Sequence, residues 1–297
     1  MNILITGITG HIGSFLADYL SAQHKIFGIA REANKPNHFV FDLLPGKQEE
    51  LDTILENNQI ELVIHCAANK KPTTMDDLYL NSLALNKFLV SPVGKKIRYI
   101  VIGSAAEYGL GNPETNLITE ETLPVPDSLY GVSKFFQTTL ANYYHNLDYK
   151  ITVLRLFNII SPSAEPGTFV GNVFTEIEKG EAGKITINNS KVERDFIDIR
   201  DFADLVKQVV ETPPKSFLYN VGTGNNVSYG DFINETLKLL QAADLPQPKV
   251  IDKGQPEKFH QAKCGNNKIK TEYNWAPQFT LKDSVAWCLK ERGLINS

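Results

Sequence analysis

Cysteine is scarce in this chain, and no apolar stretch reaches membrane length. Cys66, Cys264 and Cys288 are its three cysteines, spread over 297 residues. Their number is odd and no two form a CxxC pair, so neither a disulfide framework nor a thiolate metal site organises the fold. Reduced thiols in a cytoplasmic protein are the expectation. No window approaches the ~20 apolar residues that a membrane span needs. The opening residues, MNILITG, place no basic segment ahead of an apolar run. They read as a first strand and not as a secretory signal. Positive charge is not in excess either: 30 Lys and Arg stand against 34 Asp and Glu, a net charge of −4. A nucleic-acid footprint and a polybasic membrane anchor therefore have nothing to rest on.

What is present is a globular composition, 42% apolar and 22% charged, at a length that suits one large domain or two smaller ones. Short Val/Ile/Leu-rich runs at 3–6, 25–30, 39–41, 61–66, 98–102 and 151–156 read as strands. Segments with helical spacing at 12–21, 51–57, 74–89 and 130–146 alternate with them. That alternation predicts an α/β fold, a Rossmann-type doubly wound parallel sheet. The later part is richer in Pro, Asn and Gly, with short strands at 184–187, 196–199 and 250–251 and a helix at 232–240. It is expected to form a smaller mixed α/β substrate-binding lobe. The expected division is 1–160 for the dinucleotide-binding domain and 161–297 for the lobe, with segments such as 192–210 returning to the main sheet.

The first strand runs into Thr6-Gly7-Ile8-Thr9-Gly10-His11-Ile12-Gly13 and then a helix. The glycines allow a tight turn, a close backbone approach to a pyrophosphate, and helix–strand packing; the helix N-terminus offers free N–H groups to the anion. Gly7, Thr9, Gly10, His11, Ile12 and Gly13 are the candidate dinucleotide contacts. After the second strand comes Arg31, a cation suited to the 2′-phosphate of NADP, so NADP(H) is favoured and NAD(H) is the alternative. Asp42 and Leu43 follow the third strand, where the chain can reach the adenine edge.

Tyr130-Gly131-Val132-Ser133-Lys134 opens the long helix. Residues four apart share a helix face, and a lysine beside a phenol favours the phenolate. The pair thus suits acid/base work, with the tyrosine expected below its usual ~10. The fifth strand ends in Gly103-Ser104-Ala105-Ala106-Glu107-Tyr108-Gly109, which puts Ser104 at the carboxyl edge of the sheet, where open α/β folds bind ligands.

TGITGHIG, HCAAN (65–69), GSAAEYG (103–109), SLYGVSK (128–134), RLFN (155–158), RDFIDIRD (194–201), YNVGTG (219–224) and NWAP (274–277) follow one another in order. With them the chain resembles the extended short-chain dehydrogenase/reductases, in particular their nucleotide-sugar epimerase, dehydratase and reductase branch. The resemblance implies that Tyr130 is the proton donor or acceptor. Lys134 holds the nicotinamide ribose, and Ser104, with Ala105 beside it, meets the reacting sugar. Cys66, Ala67 and Ala68 run past the cofactor, while His65 is expected to be a core residue. Asn81 supports the active-site backbone, Asn158 touches the nucleotide sugar, and Arg194 pairs with its diphosphate. Arg194's ordinary alternative is a salt bridge with Asp195 or Asp198. The resemblance also implies a homodimer and a GDP-, UDP-, dTDP- or CDP-linked substrate.

Two departures narrow the chemistry. The dehydratases of this branch carry Thr-Asp-Glu at the positions of Ser104, Ala105 and Ala106, and fucose-type epimerase-reductases carry a Cys at that of Ala106. Alanine here removes both extra acid/base groups, which leaves hydride chemistry at one carbon, most often C4. The second arginine usual near 252–265 is also missing; Lys253, Lys258 and Lys263 stand there, and lysine cannot grip a phosphate bidentately. Arg31, GIAR and the pairing of GSAAEYG with YGVSK resemble GDP-4-keto-6-deoxymannose reductases. The expected function is an NADPH-dependent reductase of a nucleotide-linked 4-keto-6-deoxyhexose. The alternatives are a nucleotide-sugar 4-epimerase and a dinucleotide sensor without catalysis.

Overall fold

The first-half apolar runs form strands, and those in the middle of the sheet have their side chains buried on both faces, as the unbroken Val/Ile/Leu runs require. The computed structural model describes residues 1–32, 35–109, 117–255 and 263–295. Its first strands are β1 (Asn2–Thr6), β2 (Lys25–Ala30), β3 (His38–Val40), β4 (Leu62–His65), β5 (Arg98–Ser104), the short β6 (Leu117–Ile118) and β7 (Lys150–Leu156). Helices α1 (His11–Leu20), α2 (Gln48–Asn57), α3 (Leu80–Leu89) and α4 (Leu129–His145) connect them. The main sheet runs β7-β5-β4-β1-β2-β3, all in parallel. Strand order reverses at β1, which sits between β4 and β2, and such a switch point opens a ligand crevice at the carboxyl ends. This is the expected Rossmann-type sheet.

The chain then forms β8 (Asn158–Ile160), α5 (Phe169–Glu178), β9 (Lys184–Ile187), β10 (Glu193–Asp198), α6 (Ile199–Glu211) and β11 (Leu218–Val221). It ends with β12 (Asn226–Ser228), α7 (Tyr229–Ala242), β13 (Lys249–Asp252), β14 (Lys263–Cys264), α8 (Asn267–Tyr273) and α9 (Leu281–Glu291). Three smaller sheets arise here, β12-β10-β8, β13-β9 and β14-β6.

One expectation needs correcting. The strand of the 192–210 segment does not rejoin the main sheet, although the segment's residues from Leu205 onward belong to the compact unit that holds that sheet. That strand, β10, pairs in parallel with β8 and antiparallel with β12. The strand that does return is β11, the seventh of the main sheet, at the edge beside β7. β10 is kept in the smaller sheet by β8, which offers a parallel edge one residue after β7, and by the Asn158 amide, which donates to the Asp195 carbonyl at 3.1 Å. The expected helix at 74–89 is also shorter. The Asp77 carboxylate accepts the Thr73 and Thr74 N–H groups, and a 3-10 turn at Asp76–Tyr79 precedes α3.

The chain divides into two compact units. One holds Met1–Gly109, Leu123–Leu156 and Leu205–Asn220; the other holds Leu110–Thr122, Phe157–Asp204 and Val221–Ser297. The first has a core of Leu4, Phe27, Val63, Phe88, Tyr99 and Val153 among others, and each such side chain contributes about 1.5–3 kcal/mol by burial. Tyr99 keeps its hydroxyl satisfied in that core by donating to Phe88 O and Gly94 O. The second unit is centred on Phe174, Phe196 and Phe232, with Phe169 stacked on Tyr229 at 3.9 Å between ring centroids. Among the described residues no helix is long and apolar enough to cross a membrane, and no His/Cys/Asp/Glu cluster suits a metal.

Candidate active site

The glycine loop shows why its sequence is glycine. Gly7 takes φ +64°, and a Cβ on Gly13 would lie 2.2 Å from the Gly7 carbonyl oxygen. Side chains at these positions would fill the turn. Gly10 caps α1 without a side chain, and the helix's first turn carries no carboxylate. Exposed Thr9 and half-buried His11 and Ile12 complete this N-terminus, which suits an anion by charge and by free N–H groups. The observed cradle therefore fits a dinucleotide pyrophosphate.

Cys66-Ala67-Ala68 leaves β4 directly beside the loop; a Cβ on Gly7 would meet the Ala67 backbone at 3.0 Å. Ala67 N donates to Thr6 Oγ1 at 3.1 Å, and Thr6 Oγ1 also bonds His65 Nδ1 at 3.1 Å. Burial lowers His65 to about 3 and raises the Cys66 thiol to about 12. Both are neutral at physiological pH and neither is a proton-transfer group there, so His65 is the core residue expected. At the other end, Arg31 is exposed after β2. Asp42 is exposed and accepts the Leu44 N–H at 3.0 Å, a turn contact, while Leu43 packs on the core.

Ser104, Tyr130 and Lys134 are brought together in the first unit. Ser104 ends β5 and caps the 3-10 turn Ala105–Tyr108. Ser128 caps α4 by accepting the Gly131 N–H at 3.1 Å. Gly131 is the close-approach residue, since a Cβ there would lie 2.3 Å from the Ala106 carbonyl oxygen. Its bareness lets α4 dock on the turn, which brings the Tyr130 side chain close to Ser104. Lys134 is buried, donating to Ile102 O at 2.6 Å and to Gln137 Oε1. Asn81 links the start of this helix to the chain after β4. Its Oδ1 accepts the Asn69 N–H at 2.7 Å, its Nδ2 donates to Ser133 Oγ at 3.0 Å, and Ser133 Oγ donates to Tyr130 O at 2.8 Å.

The protonation of the pair differs from expectation. Tyr130 is raised above its ordinary value because burial disfavours the phenolate, with the Ser104 hydrogen bond opposing. Lys134 is lowered to about 8, again by burial, with Glu107 opposing. Burial is the largest influence on both, and each group is pushed toward its neutral form.

Two residues escaped the sequence reading. Glu107 is fully buried; one carboxylate oxygen accepts the Ser104 N–H at 2.9 Å, and the other accepts from Arg155 Nε at 2.8 Å. The Arg155 guanidinium also lies 4.5 Å from the Tyr108 ring centroid. Both sit inside quoted motifs, and an arginine between two leucines in the buried part of the strand (KITVLRL) was the available signal.

Asn158 and Arg194 belong to the second unit. Arg194 does not take its salt-bridge alternative. Asp195 accepts instead from Thr223 N, Thr223 Oγ1, Gly224 N and Cys264 N, and Asp198 pairs with Arg200 at 2.7 Å. The Arg194 guanidinium donates to Glu193 O and lies 5.9 Å from the Tyr229 ring centroid. Lys258 lies outside the described residues, and Lys253 and Lys263 are exposed.

These features agree with what known proteins share with the chain. The ADP-L-glycero-D-manno-heptose-6-epimerase of Fusobacterium nucleatum is 31% identical over 279 residues, covering 84% of this chain and 83% of its own. The GDP-6-deoxy-D-mannose reductase of Pseudomonas aeruginosa is 22% identical, covering 97% of this chain and 96% of its own. Among solved structures, UDP-glucuronic acid 4-epimerase from Bacillus cereus, in complex with UDP-glucuronic acid and NAD, matches with a TM-score of 0.82 at 22% identity, covering 98% of this chain and 99% of its own. A family model described as NAD dependent epimerase/dehydratase family matches residues 3–222, from β1 past Arg194. Glycine loop, Ser104, Tyr130 and Lys134 all fall within that match, and the chain belongs to this family of NAD(P)-dependent enzymes.

Proposed function

We propose that the protein reduces a nucleotide-linked 4-keto-6-deoxyhexose at C4 with NADPH. The observation that carries this reading is the single acid/base set at the turn. Ala105 and Ala106 offer no proton-transfer group, and the nearby carboxylate, Glu107, has its two oxygens engaged by Ser104 N and Arg155 Nε. Reduction at one carbon needs one proton and one hydride, and Ser104 with Tyr130 and Lys134 meets the proton half. Ser104 Oγ orients the sugar carbonyl. Tyr130 donates its hydroxyl proton to the alkoxide oxygen that develops there, and the Lys134 ammonium helps the phenol release it. The bound nicotinamide supplies the hydride. Arg31, exposed after β2, supports NADPH over NADH. Asn158 and Arg194 are proposed to hold the nucleotide sugar, Arg194 by its fork of donors on the diphosphate.

The test is a panel of GDP-, UDP-, dTDP- and CDP-linked hexoses and 4-ketohexoses, each with and without NADPH or NADH. Stoichiometric NADPH consumption on a 4-keto sugar is the expected result. Interconversion of saturated sugars without net cofactor use would make the protein a 4-epimerase, and tight cofactor binding without turnover would make it a sensor. Tyr130→Phe is expected to lower turnover by roughly 10²–10⁴-fold while cofactor binding stays nearly unchanged.

A further inference from the structure

We infer that Glu107 and Arg155 form the positioning device of this active site: Glu107, clamped by Arg155, fixes the Ser104 turn and sets the negative charge that faces the Lys134 ammonium. The inference rests on the reading of Ser104, Tyr130 and Lys134 as the acid/base set.

The geometry carries the argument. Ser104 caps its turn reciprocally: its hydroxyl accepts the Ala106 N–H at 3.2 Å, and Glu107 returns a contact to the Ser104 N–H at 2.9 Å. A capping box at a protein surface is an ordinary device. This one is buried, and its second carboxylate oxygen goes to an arginine that is itself 3% exposed. Gly103 makes room for it. A Cβ there would lie 2.9 Å from Glu107 Oε1 and 3.1 Å from Arg155 Cγ. The two halves of the clamp thus come from the turn that follows β5 and from β7, and they meet because Gly103, at the end of β5, is the register partner of Arg155.

Burial pushes the Glu107 carboxyl up, while the Arg155 guanidinium and the Ser104 N–H pull it down; on this account the contacts hold it as the carboxylate. Both its oxygens accept N–H groups, and a protonated carboxyl would leave a buried guanidinium uncompensated, which is strongly unfavourable. Around Lys134, the other titratable groups are neutral near pH 7. His65 and Cys66 from the end of β4 are kept neutral by burial, as is Tyr130 on α4 itself. Lys134 Nζ donates to Ile102 O and Glu107 Oε1 accepts the Ser104 N–H two residues further along the same strand end, so Glu107 is the carboxylate that lies beside the Lys134 ammonium and favours its charged form, and Arg155 keeps Glu107 in place. Glu107 touches no reacting atom on this account. It acts through the Ser104 turn and through Lys134.

The experiment reads Lys134 directly, without substrate. Protein carrying ¹³C-labelled lysine is titrated by NMR, the Lys134 signal being assigned by its loss in Lys134→Met. Wild type is expected to titrate near about 8. In Glu107→Gln, which keeps an acceptor for the Ser104 N–H but loses the charge, the Lys134 midpoint is expected to fall by about one pH unit or more. Glu107→Gln/Arg155→Gln removes the unpaired guanidinium as well, and it should show the same fall if the single variant does not fold. On a turned-over sugar at pH 7.5, either variant should lose roughly 3-fold or more in kcat with KM little changed, the fall in the charged Lys134 fraction. An unmoved Lys134 midpoint in a folded variant overturns the inference. So does failure of both variants to fold and bind NADPH, because the pair would then be a structural element only. Failure of wild type to reduce any nucleotide sugar would remove the proposed reaction but leave the NMR comparison to decide this one.

Discussion

Tyr130 and Lys134 stand four residues apart on α4, and burial moves their protons in opposite senses. The phenol holds its proton more tightly than in water, while the ammonium gives its proton up more readily, at about 8. For a reductase that combination is useful, because the donor stays protonated while the cation beside it stays charged up to mildly basic pH. The sign follows directly. Lys134 is charged below about 8 and neutral above it, whereas Tyr130 loses its proton at higher pH. The rate of ketone reduction is expected to be level toward neutral pH and to fall as pH rises through about 8. A pH profile of kcat checks this, and a profile level to roughly pH 10 would remove Lys134 from proton transfer. Tyr130, Lys134 and Ser104 were legible in the sequence because each sits in a local pattern: a strand end, a helix start, a four-residue spacing. Glu107 and Arg155 were not, since they meet across 48 residues of chain and only the register of β5 with β7 brings them together.

At the scale of elements, the site depends on how closely α4 approaches the turn after β5. Gly131 sets that distance, with the Ala106 carbonyl oxygen occupying the space a side chain would need. Gly131→Ala would force α4 or the turn to move, and displacements of about 1 Å near the chemistry cost on the order of 10² in rate. The variant is expected to keep NADPH binding, which uses the glycine loop, while kcat falls by roughly 10²-fold. Fluorescence titration and steady-state kinetics together check it, and unchanged kcat would show that α4 docking tolerates the shift. The parallel strands and α1 to α4 could be read from apolar periodicity because their local signals agree with their tertiary roles. Later elements were less readable. α5 (FVGNVFTEIE) follows a Pro/Gly-rich stretch that masks its start, and its Thr168 cap is recognisable only once the helix is known. The strand β11 lies in YNVGTG, where the glycines after Val221 look like loop. Sheet membership was the hardest part to read: periodicity identifies a strand but not its partner, and the place at the main sheet expected for the 192–210 segment is taken by β11.

At the scale of the whole molecule, apolar surface on α3 and α4 has to be accounted for. Tyr79, at the turn that enters α3, and Leu83 on α3 are each 51% exposed, and Tyr143 on α4 and Leu147 just past its end are 61% and 44% exposed. Tyr79 stacks on Phe136 at 5.4 Å between ring centroids, which joins the entry of α3 to the face of α4. Single exposed apolar residues need no explanation, but two such ridges on neighbouring helices are what a protein interface looks like. We propose that this face pairs with itself in a homodimer, burying on the order of 800 Å² per partner as stable interfaces do. Sedimentation at micromolar concentration is expected to give twice the mass of one chain. Leu83→Glu with Tyr143→Glu would place charges against apolar surface across a two-fold axis and should yield monomers. The monomers should still bind NADPH, since none of the four residues lies in the glycine loop. A wild type that sediments as a single chain would leave this surface to some other partner.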